Sequence, residues 1–305
     1  MNKFKIVIIG TINKDTIIFP NGKNTESFGG ILYNILTLSY LGREGVKIYP
    51  VCNLGYDVYN QVISRLKNCD NVDLSGIKKA NCKNNHAFLS INQNNQREEI
   101  LKNRIPPLSF SQIKPFLKAD VMLINFISGF DLSLVTLKKI RKSTDALIFM
   151  DVHSLTLGVN NSGKRFFDTP KNWREWIKQA DIAQMSLSEL RELAKRDLKS
   201  LQEIKEFGKC ILDLGPQTVL VTLGEKGAFM IFDDKVRRFV GSKVRKFKDA
   251  TGCGDVFSAG FLICYRHTKN LAKSVKFANY VAAEKCKISG VEEMKKLFSR
   301  IVIPV

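Results

Sequence analysis

The run Asp249-Ala250-Thr251-Gly252-Cys253-Gly254-Asp255-Val256-Phe257 leads directly into the apolar segment 258–262. Two glycines stand three residues and one residue before an acid that begins a helical pattern. Glycine lets the backbone turn with its N–H groups pointing inward, and the first turn of a helix carries a positive partial charge. The run therefore predicts a cradle for an oxyanion or a phosphoryl group, with the carboxylate of Asp255 at its mouth.

The spacing leaves two interpretations of Asp255 open. A carboxylate beside such a cradle can take the proton of an alcohol while the alcohol attacks phosphorus. The same spacing is equally typical of an acid that caps a helix after a glycine turn, which is common in α/β proteins. Evidence from other parts of the sequence is therefore needed to distinguish a catalytic base from a helix cap at Asp255.

Composition limits the class of protein but not its ligand. The chain has 305 residues, of which 44% are apolar and 25% charged, as in ordinary globular proteins and unlike disordered, collagen-like or coiled-coil chains. Lys and Arg number 48 against 29 Asp and Glu, which gives a formal net charge of +19. That charge attracts polyanions, whether nucleic acid, an anionic membrane or phosphorylated small molecules.

The seven cysteines are scattered, no pair has C-x-x-C spacing, and the three histidines lie far apart. This pattern argues against a zinc site or a disulfide framework and is typical of a reducing compartment. The apolar run at residues 6–9 is too short for a signal peptide, and no stretch approaches the roughly 20 residues of a membrane span. We expect a cytoplasmic protein with no membrane contact.

Short β-branched runs alternate with segments of helical period. Strands are predicted over residues 6–9, 47–51, 121–125, 147–151, 181–185 and 218–223, and helices over 31–42, 58–66, 132–140, 187–194, 255–265 and 271–286. Such alternation predicts an α/β fold with a mostly parallel central sheet flanked by helices.

Two stretches leave this alternation, about residues 11–28 and 81–104. The first contains a turn at Pro20-Asn21-Gly22, and the second contains two alternating β runs around a predicted hairpin tip at 92–96. Because no linker rich in Gly, Ser or Pro divides the chain, we expect one domain over residues 1–305 with a small β-strand lid. Residues 243–248 alternate basic and apolar side chains, which predicts an exposed edge strand.

The 249–255 run resembles the second signature of the ribokinase-like (PfkB-type) sugar kinases, D-[TP]-x-G-A-G-D. Further stretches resemble motifs of that family in the family's order, and together they extend over nearly the whole chain. They are the run 10–15, the pair Gly29-Gly30 followed by Asn34, the turn 54–57, the TxGxxG run 221–228 and the final helix with its surroundings, 277–290. One such motif is weak, but an ordered set is specific.

The resemblance implies ATP-dependent phosphorylation of a hydroxyl on a sugar or sugar-like substrate, with Mg²⁺ bridging the phosphates. It implies Asp255 as the general base and the amides of Gly252, Cys253 and Gly254 as the anion hole. The implied substrate contacts are Asn13, Asp15, Gly29, Gly30 and Asn34, and the implied nucleotide contacts are Ser186, Thr222, Gly224, Gly227 and Asn279. Glu189 is implied to organise Mg²⁺ indirectly, and Asp249 and Thr251 to contribute to a site for a monovalent cation such as K⁺.

The sequence departs from the family pattern at Cys253, where Ala is common, at Ala250, and at Ser186, where Asn is expected. The resemblance implies that residue 253 acts through its amide, so we expect a slightly larger side chain to be tolerated there. The shorter Ser186 is expected to weaken metal-nucleotide binding or to slow turnover. Ser186 and Glu189 also have the spacing of a capping box, which predicts a helix beginning at residue 187.

Two other functions remain open. One is a nucleoside kinase of the same fold; the other is a catalytically weak sugar- or nucleotide-binding protein. The charge would suit association with nucleic acid, but no helix-turn-helix, RNP-like run or basic tail supports it, so nucleic acid is not an expected partner. The substrate-side residues fit a polyhydroxylated ligand better than a flat base. Lid strands in this family often pair between subunits, which implies a homodimer through the lid.

Overall fold

The structure is a computed structural model, and it describes residues 3–18, 22–91 and 97–304. Most of the predicted turn at Pro20-Asn21-Gly22 and the whole predicted hairpin tip at 92–96 lie outside these residues. In the described part of the chain, no helix combines the length and the apolar character needed to cross a membrane.

The elements alternate as the sequence predicts. The strands are β1 Phe4–Ile9, β2 Lys14–Ile18, β3 Asn24–Phe28, β4 Val46–Gly55, β5 Ile77–Ala80, β6 His86–Ile91, β7 Arg97–Lys102, β8 Val121–Asn125, β9 Leu147–Asp151, β10 Leu157–Val159, β11 Arg165–Phe167, β12 Ile182–Ser186, β13 Thr218–Thr222, β14 Ala228–Phe232 and β15 Lys235–Phe239. The α-helices are α1 Ile31–Gly42, α2 Tyr59–Leu66, α3 Phe110–Ile113, α4 Leu134–Ser143, α5 Trp173–Ile177, α6 Leu187–Ala194, α7 Leu201–Leu212, α8 Cys253–Thr268, α9 Leu271–Lys285 and α10 Met294–Phe298.

Nine of the described strands form the central sheet, in the order β15-β14-β13-β12-β9-β8-β1-β4-β5. All neighbours from β13 to β5 are parallel, and β14 and β15 extend the sheet antiparallel. The predicted fold class is therefore confirmed. Because the strands are parallel, the carboxyl ends of β8, β9, β12 and β13 meet at one edge of the sheet, which is where α/β proteins bind their ligands.

Helices cover both faces of the sheet. Ile6 and Ile8 of β1 face a core shared with α1, α2, α8, α9 and α10. Val7 and Ile9 face a second core shared with α3 to α7. The strand interior is apolar on both sides because each face is packed against helices.

A second sheet, in the order β3-β2-β6-β7, corresponds to the predicted lid. It has its own small apolar cluster of Ile17, Ala87 and Leu89. The short β10–β11 hairpin lies against the outer edge of β7, where the Leu101 amide donates to the Gly163 carbonyl at 2.8 Å. Among the described strands of the lid, β3 is therefore the edge left open.

The edge strand predicted over 243–248 is wrong. This segment is irregular, and the edge of the sheet is β15, formed by residues 235–239. The amides of Lys248 and Asp249 donate instead to the carbonyl of Cys286, at 2.8 and 3.3 Å. The segment is thus attached to the end of α9, and it leads into the glycine turn that begins α8.

Candidate active site

Three polar side chains form a row across the carboxyl edge of the sheet. Asn125 of β8 lies opposite Asp151 of β9, and Asp151 lies opposite Gln184 of β12. All three are buried, and apart from Ser186 at the end of β12 the other residues of their strands are apolar. A buried polar group needs partners, so the row indicates a site rather than a packing surface.

Gly252 positions Asp255 over this row. Gly252 has φ +80°, and a Cβ at this position would lie 2.5 Å from the ring of Tyr33, so the turn requires glycine. Helix α8 begins at the next residue and carries Asp255 in its first turn. There Asn125 Nδ2 donates to Asp255 Oδ1 at 2.7 Å.

Asn34 fixes the backbone of the same residue. Asn34 Nδ2 donates to the main-chain oxygen of Asp255 at 2.8 Å, and Asn34 Oδ1 accepts from Asn125 Nδ2 at 3.1 Å. Asn34 is fully buried and does not line the cavity in front of Asp255. The structure thus places it behind the carboxylate, as a positioning residue rather than at the predicted substrate contact.

Burial sets the charge state of Asp255. It raises the pKa of this carboxyl to about 7, and the negative charge of Glu189 adds to the rise. The hydrogen bond from Asn125 and the ammonium group of Lys285 act in the opposite direction. A carboxyl that titrates near neutral pH can accept a proton and release it again, as a general base requires.

Asp151 is linked to the glycine turn through Gln184. Gln184 Nε2 donates to Asp151 Oδ2 at 2.7 Å and to the main-chain oxygen of Gly254 at 3.0 Å. Burial raises the pKa of Asp151 well above its usual range, and the charges of Glu189 and Asp255 raise it further. Three carboxyl groups therefore face one region, an arrangement that favours a cation or donors from a ligand between them.

The anion cradle has two available amides rather than the three predicted. The Cys253 amide donates to the Ala250 carbonyl at 3.1 Å, so it is engaged in the turn that begins α8. Within the described residues, the amides of Gly252 and Gly254 have no such acceptor. The first N–H groups of a helix have no acceptor inside the helix, which leaves these two for an anion.

The cavity in front of Asp255 has a volume of about 180 Å³. Predicted site residues from both ends of the chain line it together, and the lid contributes the opposite wall. Its described lining is Asn13, Asp15, Gly30, Tyr33, Ala87, Leu89, Glu99, Ile127, His153 and Ala250 to Asp255. Asn13 Oδ1 and the Tyr33 hydroxyl are buried without a hydrogen-bond partner among the described residues. His153 also lies on the cavity wall.

Gly29 makes room for the Asp15 carboxylate and does not itself line the cavity. A Cβ at Gly29 would lie 1.9 Å from Asp15 Oδ2, so the carboxylate occupies the space that a side chain would fill. Gly30, with φ +63°, turns the chain into α1 and does line the cavity. The glycine pair therefore packs the acid against the backbone, beside the surface that a ligand would contact.

The residues predicted to contact the nucleotide lie in two groups. Ser186 and Thr222 are opposite each other at the ends of β12 and β13. Gly227 and Asn279 meet at the carbonyl of Phe239: Asn279 Nδ2 donates to this oxygen at 3.5 Å, and a Cβ at Gly227 would lie 2.0 Å from it. Gly224 has φ +60° and open space around it, next to the first group.

The predicted capping box at the start of α6 is confirmed. The Ser186 amide donates to Glu189 Oε2 at 2.7 Å, and Ser186 Oγ accepts from the Glu189 amide at 3.2 Å. Burial raises the pKa of Glu189. Among the described residues no group of three or more His, Cys, Asp or Glu side chains could hold a metal directly. The acids Asp151 and Glu189 fit a Mg²⁺ ion held through water and phosphate oxygens.

A monovalent cation does not fit at Asp249. Its Oδ1 accepts from the Thr251 amide at 2.8 Å, and its Oδ2 accepts from Lys285 Nζ at 3.3 Å and from Ser289 Oγ at 3.5 Å. The Asp249 oxygens that the resemblance implies for K⁺ therefore already accept hydrogen bonds. Lys285 donates both to Oδ2 and to the main-chain oxygen of Asp249.

The family description "pfkB family carbohydrate kinase" matches residues 3–296. The chain belongs to this family of carbohydrate kinases. A cytidine kinase from Thermococcus kodakarensis is similar to this pfkB-family chain, with 23% identity over 93% of the chain and 97% of the relative.

Solved structures share the fold of this family member. A pyrophosphate-dependent kinase of the ribokinase family has a TM-score of 0.78, with 20% identity over 93% of this chain and 96% of the other. The ribokinase of Arabidopsis thaliana, complexed with ribose and ATP, has a TM-score of 0.72, with 19% identity over 99% of this chain and 100% of the other.

The sequence did not reveal four residues that contribute to the site of this pfkB-family chain. They are Asn125, which bonds Asp255, Gln184, which bonds Asp151, the cavity-lining Tyr33 and the buried Lys285. A signal existed for the first two, because each is a polar residue at or near the end of a mostly apolar strand. Lys285 gave none, since a lysine in a helix is normally exposed.

Proposed function

We propose that this chain transfers the terminal phosphoryl group of ATP to a hydroxyl of a neutral, sugar-like substrate, with Asp255 as general base. The observation that carries the proposal is the buried Asp255 carboxyl. Its pKa is raised to about 7, it accepts a hydrogen bond from Asn125, and it lines a cavity. Beside it are the amides of Gly252 and Gly254, which have no backbone acceptor among the described residues. The family is that of the carbohydrate kinases, and the donor, acceptor and residue roles are what we propose.

The proposed step balances around one hydroxyl group. The hydroxyl oxygen attacks the terminal phosphorus, its proton passes to a carboxylate oxygen of Asp255, and the bond to the bridging oxygen of ADP breaks. Charge that develops on the transferring group is stabilised by the amides of Gly252 and Gly254. Bound Mg²⁺ would neutralise phosphate charge in front of Glu189 and Asp151. Thr222, Gly224, Gly227 and Asn279 are the proposed nucleotide contacts.

The acceptor is proposed to be polyhydroxylated because the cavity offers unsatisfied hydrogen-bonding atoms. Asn13 Oδ1 can accept from a substrate hydroxyl, and the Tyr33 hydroxyl can donate to one or accept from one. Asp15 is buried on the same wall, and a carboxylate is an acceptor for hydroxyl groups. Gly30 completes this wall.

A nucleoside acceptor is the second candidate, favoured by the cytidine kinase that matches nearly end to end. The ribose of a nucleoside could use the same Asn13 and Asp15, so these residues do not separate the two. Phe126 cannot stack on the base of a nucleoside, since it is fully buried and packs edge-on against Trp176, with 5.5 Å between the ring centres. The pyrophosphate-dependent neighbour likewise makes pyrophosphate the alternative donor.

The test is a product assay with each donor, ATP or pyrophosphate, against matched neutral sugars, inositols and nucleosides. Asp255→Asn is expected to lose about 10²–10⁴-fold in kcat while still binding both substrates in a thermal-shift assay. The matched control is Asp145→Asn, an exposed acid away from the cavity, which is expected to be unaffected. Equal activity of Asp255→Asn refutes the assigned base. Binding without turnover by the unmodified protein would favour a sugar-binding protein instead.

The protein is further proposed to be cytoplasmic and to form a homodimer through the lid. All seven cysteines lie in the described residues and are unbridged, which suits the cytoplasm. A homodimer through the lid, as the resemblance implies, would have to use β3, because the β10–β11 hairpin lies against β7. Light scattering of the protein and of Thr25→Pro, which removes a backbone donor from β3, tests that dimer.

A further inference from the structure

We propose that the ammonium group of Lys285 is the resident cation of the glycine turn, so that this kinase needs no K⁺ or other monovalent ion. The inference rests on the proposed function for its kinetic readout. It concerns a residue for which neither sequence motif nor family resemblance gave any role.

Lys285 is the last residue of α9, and its side chain is 0% exposed. Its Nζ lies 3.3 Å from Asp249 Oδ2 and 3.4 Å from the main-chain oxygen of Asp249. The same Nζ lies 5.2 Å from the centre of the Tyr33 ring, within the range of a cation–π contact. A fully buried lysine persists only when it is paired, and Asp249 and Tyr33 supply that pairing.

The pairing leaves no room for a second cation at this position. Both carboxylate oxygens of Asp249 and its main-chain oxygen already accept hydrogen bonds, from Thr251, Ser289 and Lys285. An ion coordinated by these oxygens would lie next to an ammonium group, and two positive charges in a buried site repel each other strongly. Lys285 therefore supplies the charge that a bound ion would otherwise supply.

This charge is placed where it supports the cradle. Asp249 begins the turn, the Thr251 amide donates to its carboxylate, and Gly252 follows directly. Lys285 joins that turn to α9, and its charge also helps to keep the pKa of Asp255 from rising further. Lys285 is therefore a positioning residue for the amides and the base, and it does not contact the substrate.

The first measurement compares initial rates in KCl, NaCl and choline chloride at constant ionic strength. The unmodified enzyme is expected to give rates within about twofold of one another. Lys285→Ala, which leaves a cavity beside Asp249, is expected to lose about 10²-fold in kcat and to regain at least about tenfold in KCl or ammonium chloride. Lys285→Met fills the cavity without charge, and its kcat is expected to stay about 10²-fold reduced in every salt. Lys248→Ala, an exposed lysine of the same segment, is the matched control.

The second measurement needs no activity. Melting temperature is recorded against KCl concentration, with choline chloride as reference, for the same four proteins. Only Lys285→Ala is expected to be stabilised specifically by K⁺, because only there does an empty site face Asp249. A K⁺-specific stabilisation or activation of the unmodified protein overturns the inference, as does full cation-independent activity of Lys285→Ala. If the protein phosphorylates nothing, the proposed function fails while this measurement still decides the role of Lys285. Lys285→Gln, which is also uncharged, replaces Lys285→Met should that variant not fold.

Discussion

At the scale of single residues, the reactivity of Asp255 depends on the hydrogen bond from Asn125. This bond stabilises the carboxylate form, so its loss in Asn125→Ala raises the pKa of Asp255 above about 7. A smaller fraction of the base is then ionised at neutral pH. We expect the acid limb of the kcat–pH profile to move up by about 1 pH unit and the rate at pH 9 to change far less.

The control for this prediction is Asn71→Ala. Asn71 is also buried, and its side chain bonds the backbone of Ser39 and Arg43, so the substitution costs stability in the same way. It does not contact Asp255, and the acid limb should stay in place. An unchanged acid limb in Asn125→Ala would show that Asn125 does not tune the base.

The burial of Asp255 also has a cost in stability that depends on pH. Its pKa is about 7 in the folded protein and about 3.9 in an unfolded chain, so the folded state holds the proton more tightly. The stability from this group is fully present below about pH 4 and is lost as pH rises through about 7. The difference between the two pKa values corresponds to about 4 kcal/mol.

Asp255→Asn should therefore stabilise the fold at pH 8 and not at pH 4. We expect a melting temperature several degrees higher than that of the unmodified protein at pH 8, since each kcal/mol shifts the melting temperature of a chain of this size by roughly 1.5–2 °C. Scanning calorimetry at both pH values measures this. A difference of the same size at pH 4 would mean that packing, and not charge, is responsible.

The residues that the sequence could reveal differ in kind from those that it could not. Asp255, Gly252 and Gly254 act through local backbone geometry, which a nine-residue run encodes. Asn125 and Lys285 act through contacts with residues 130 and 36 positions away in sequence, which no local pattern encodes. The engagement of the Cys253 amide with Ala250 likewise depends on the final shape of the turn.

At the scale of elements, the turn between β13 and β14 offers a matched pair of glycines. Gly224 and Gly227 both have positive φ, but a Cβ has open space at Gly224 and would lie 2.0 Å from the Phe239 carbonyl at Gly227. Gly224→Ala should cost about 1–2 kcal/mol of stability and raise the donor KM by no more than about threefold, since a Cβ there meets no protein atom. Gly227→Ala must displace the end of β15, which Asn279 also contacts. We therefore expect a larger loss of stability than for Gly224→Ala, and a donor KM raised about tenfold or more. Urea unfolding and donor titrations compare the two, and similar effects would contradict the placement of Gly227.

Helix α6 allows the departure at Ser186 to be tested without breaking its cap. Asn caps a helix as well as Ser does, so Ser186→Asn should leave the melting temperature within about 2 °C. The amide reaches further than the hydroxyl at the position beside Thr222, and we expect kcat/KM for Mg-ATP to rise about threefold or more. Ser200→Asn is the matched control, because Ser200 forms the same capping box with Glu203 on α7. Equal kinetics in the two variants would assign Ser186 a capping role alone.

The elements themselves were predictable where period and burial agreed. Strands β8 and β9 and helix α6 have the predicted bounds, because each is a short run with a single pattern. Helix α7 and the antiparallel strands β14 and β15 were not predicted, and the edge strand was placed at 243–248 instead of 235–239. Both segments alternate basic and apolar residues, and only pairing with β14 decides which one becomes a strand.

At the scale of the whole molecule, the charge of the surface and that of the cavity have opposite signs. The chain carries a net charge of +19, yet the described residues that line the cavity include three acids, Asp15, Glu99 and Asp255, and neither Lys nor Arg. The nearby Arg165 is buried behind Glu99, with Nε 3.7 Å from its Oε1. The basic surface therefore draws anions toward the protein, while the acceptor end of the cavity repels them.

This distribution predicts that the enzyme prefers neutral acceptors over their phosphorylated derivatives. A phosphate group near two carboxylates meets repulsion of about 2–3 kcal/mol or more, so kcat/KM for a phosphorylated acceptor should be about 10²-fold lower than for its neutral counterpart. Glu99→Gln removes one of these charges. It should lower the ratio of kcat/KM for the neutral acceptor to kcat/KM for the phosphorylated one by about fivefold or more. Glu98→Gln is the control, because Glu98 is the neighbouring residue of β7 and pairs with Lys164 at the exposed surface. Matched pairs of neutral and phosphorylated sugars, assayed at two salt concentrations, measure the ratio. A preference for the phosphorylated member in the unmodified protein would mean that a basic group outside the described lining reaches the substrate.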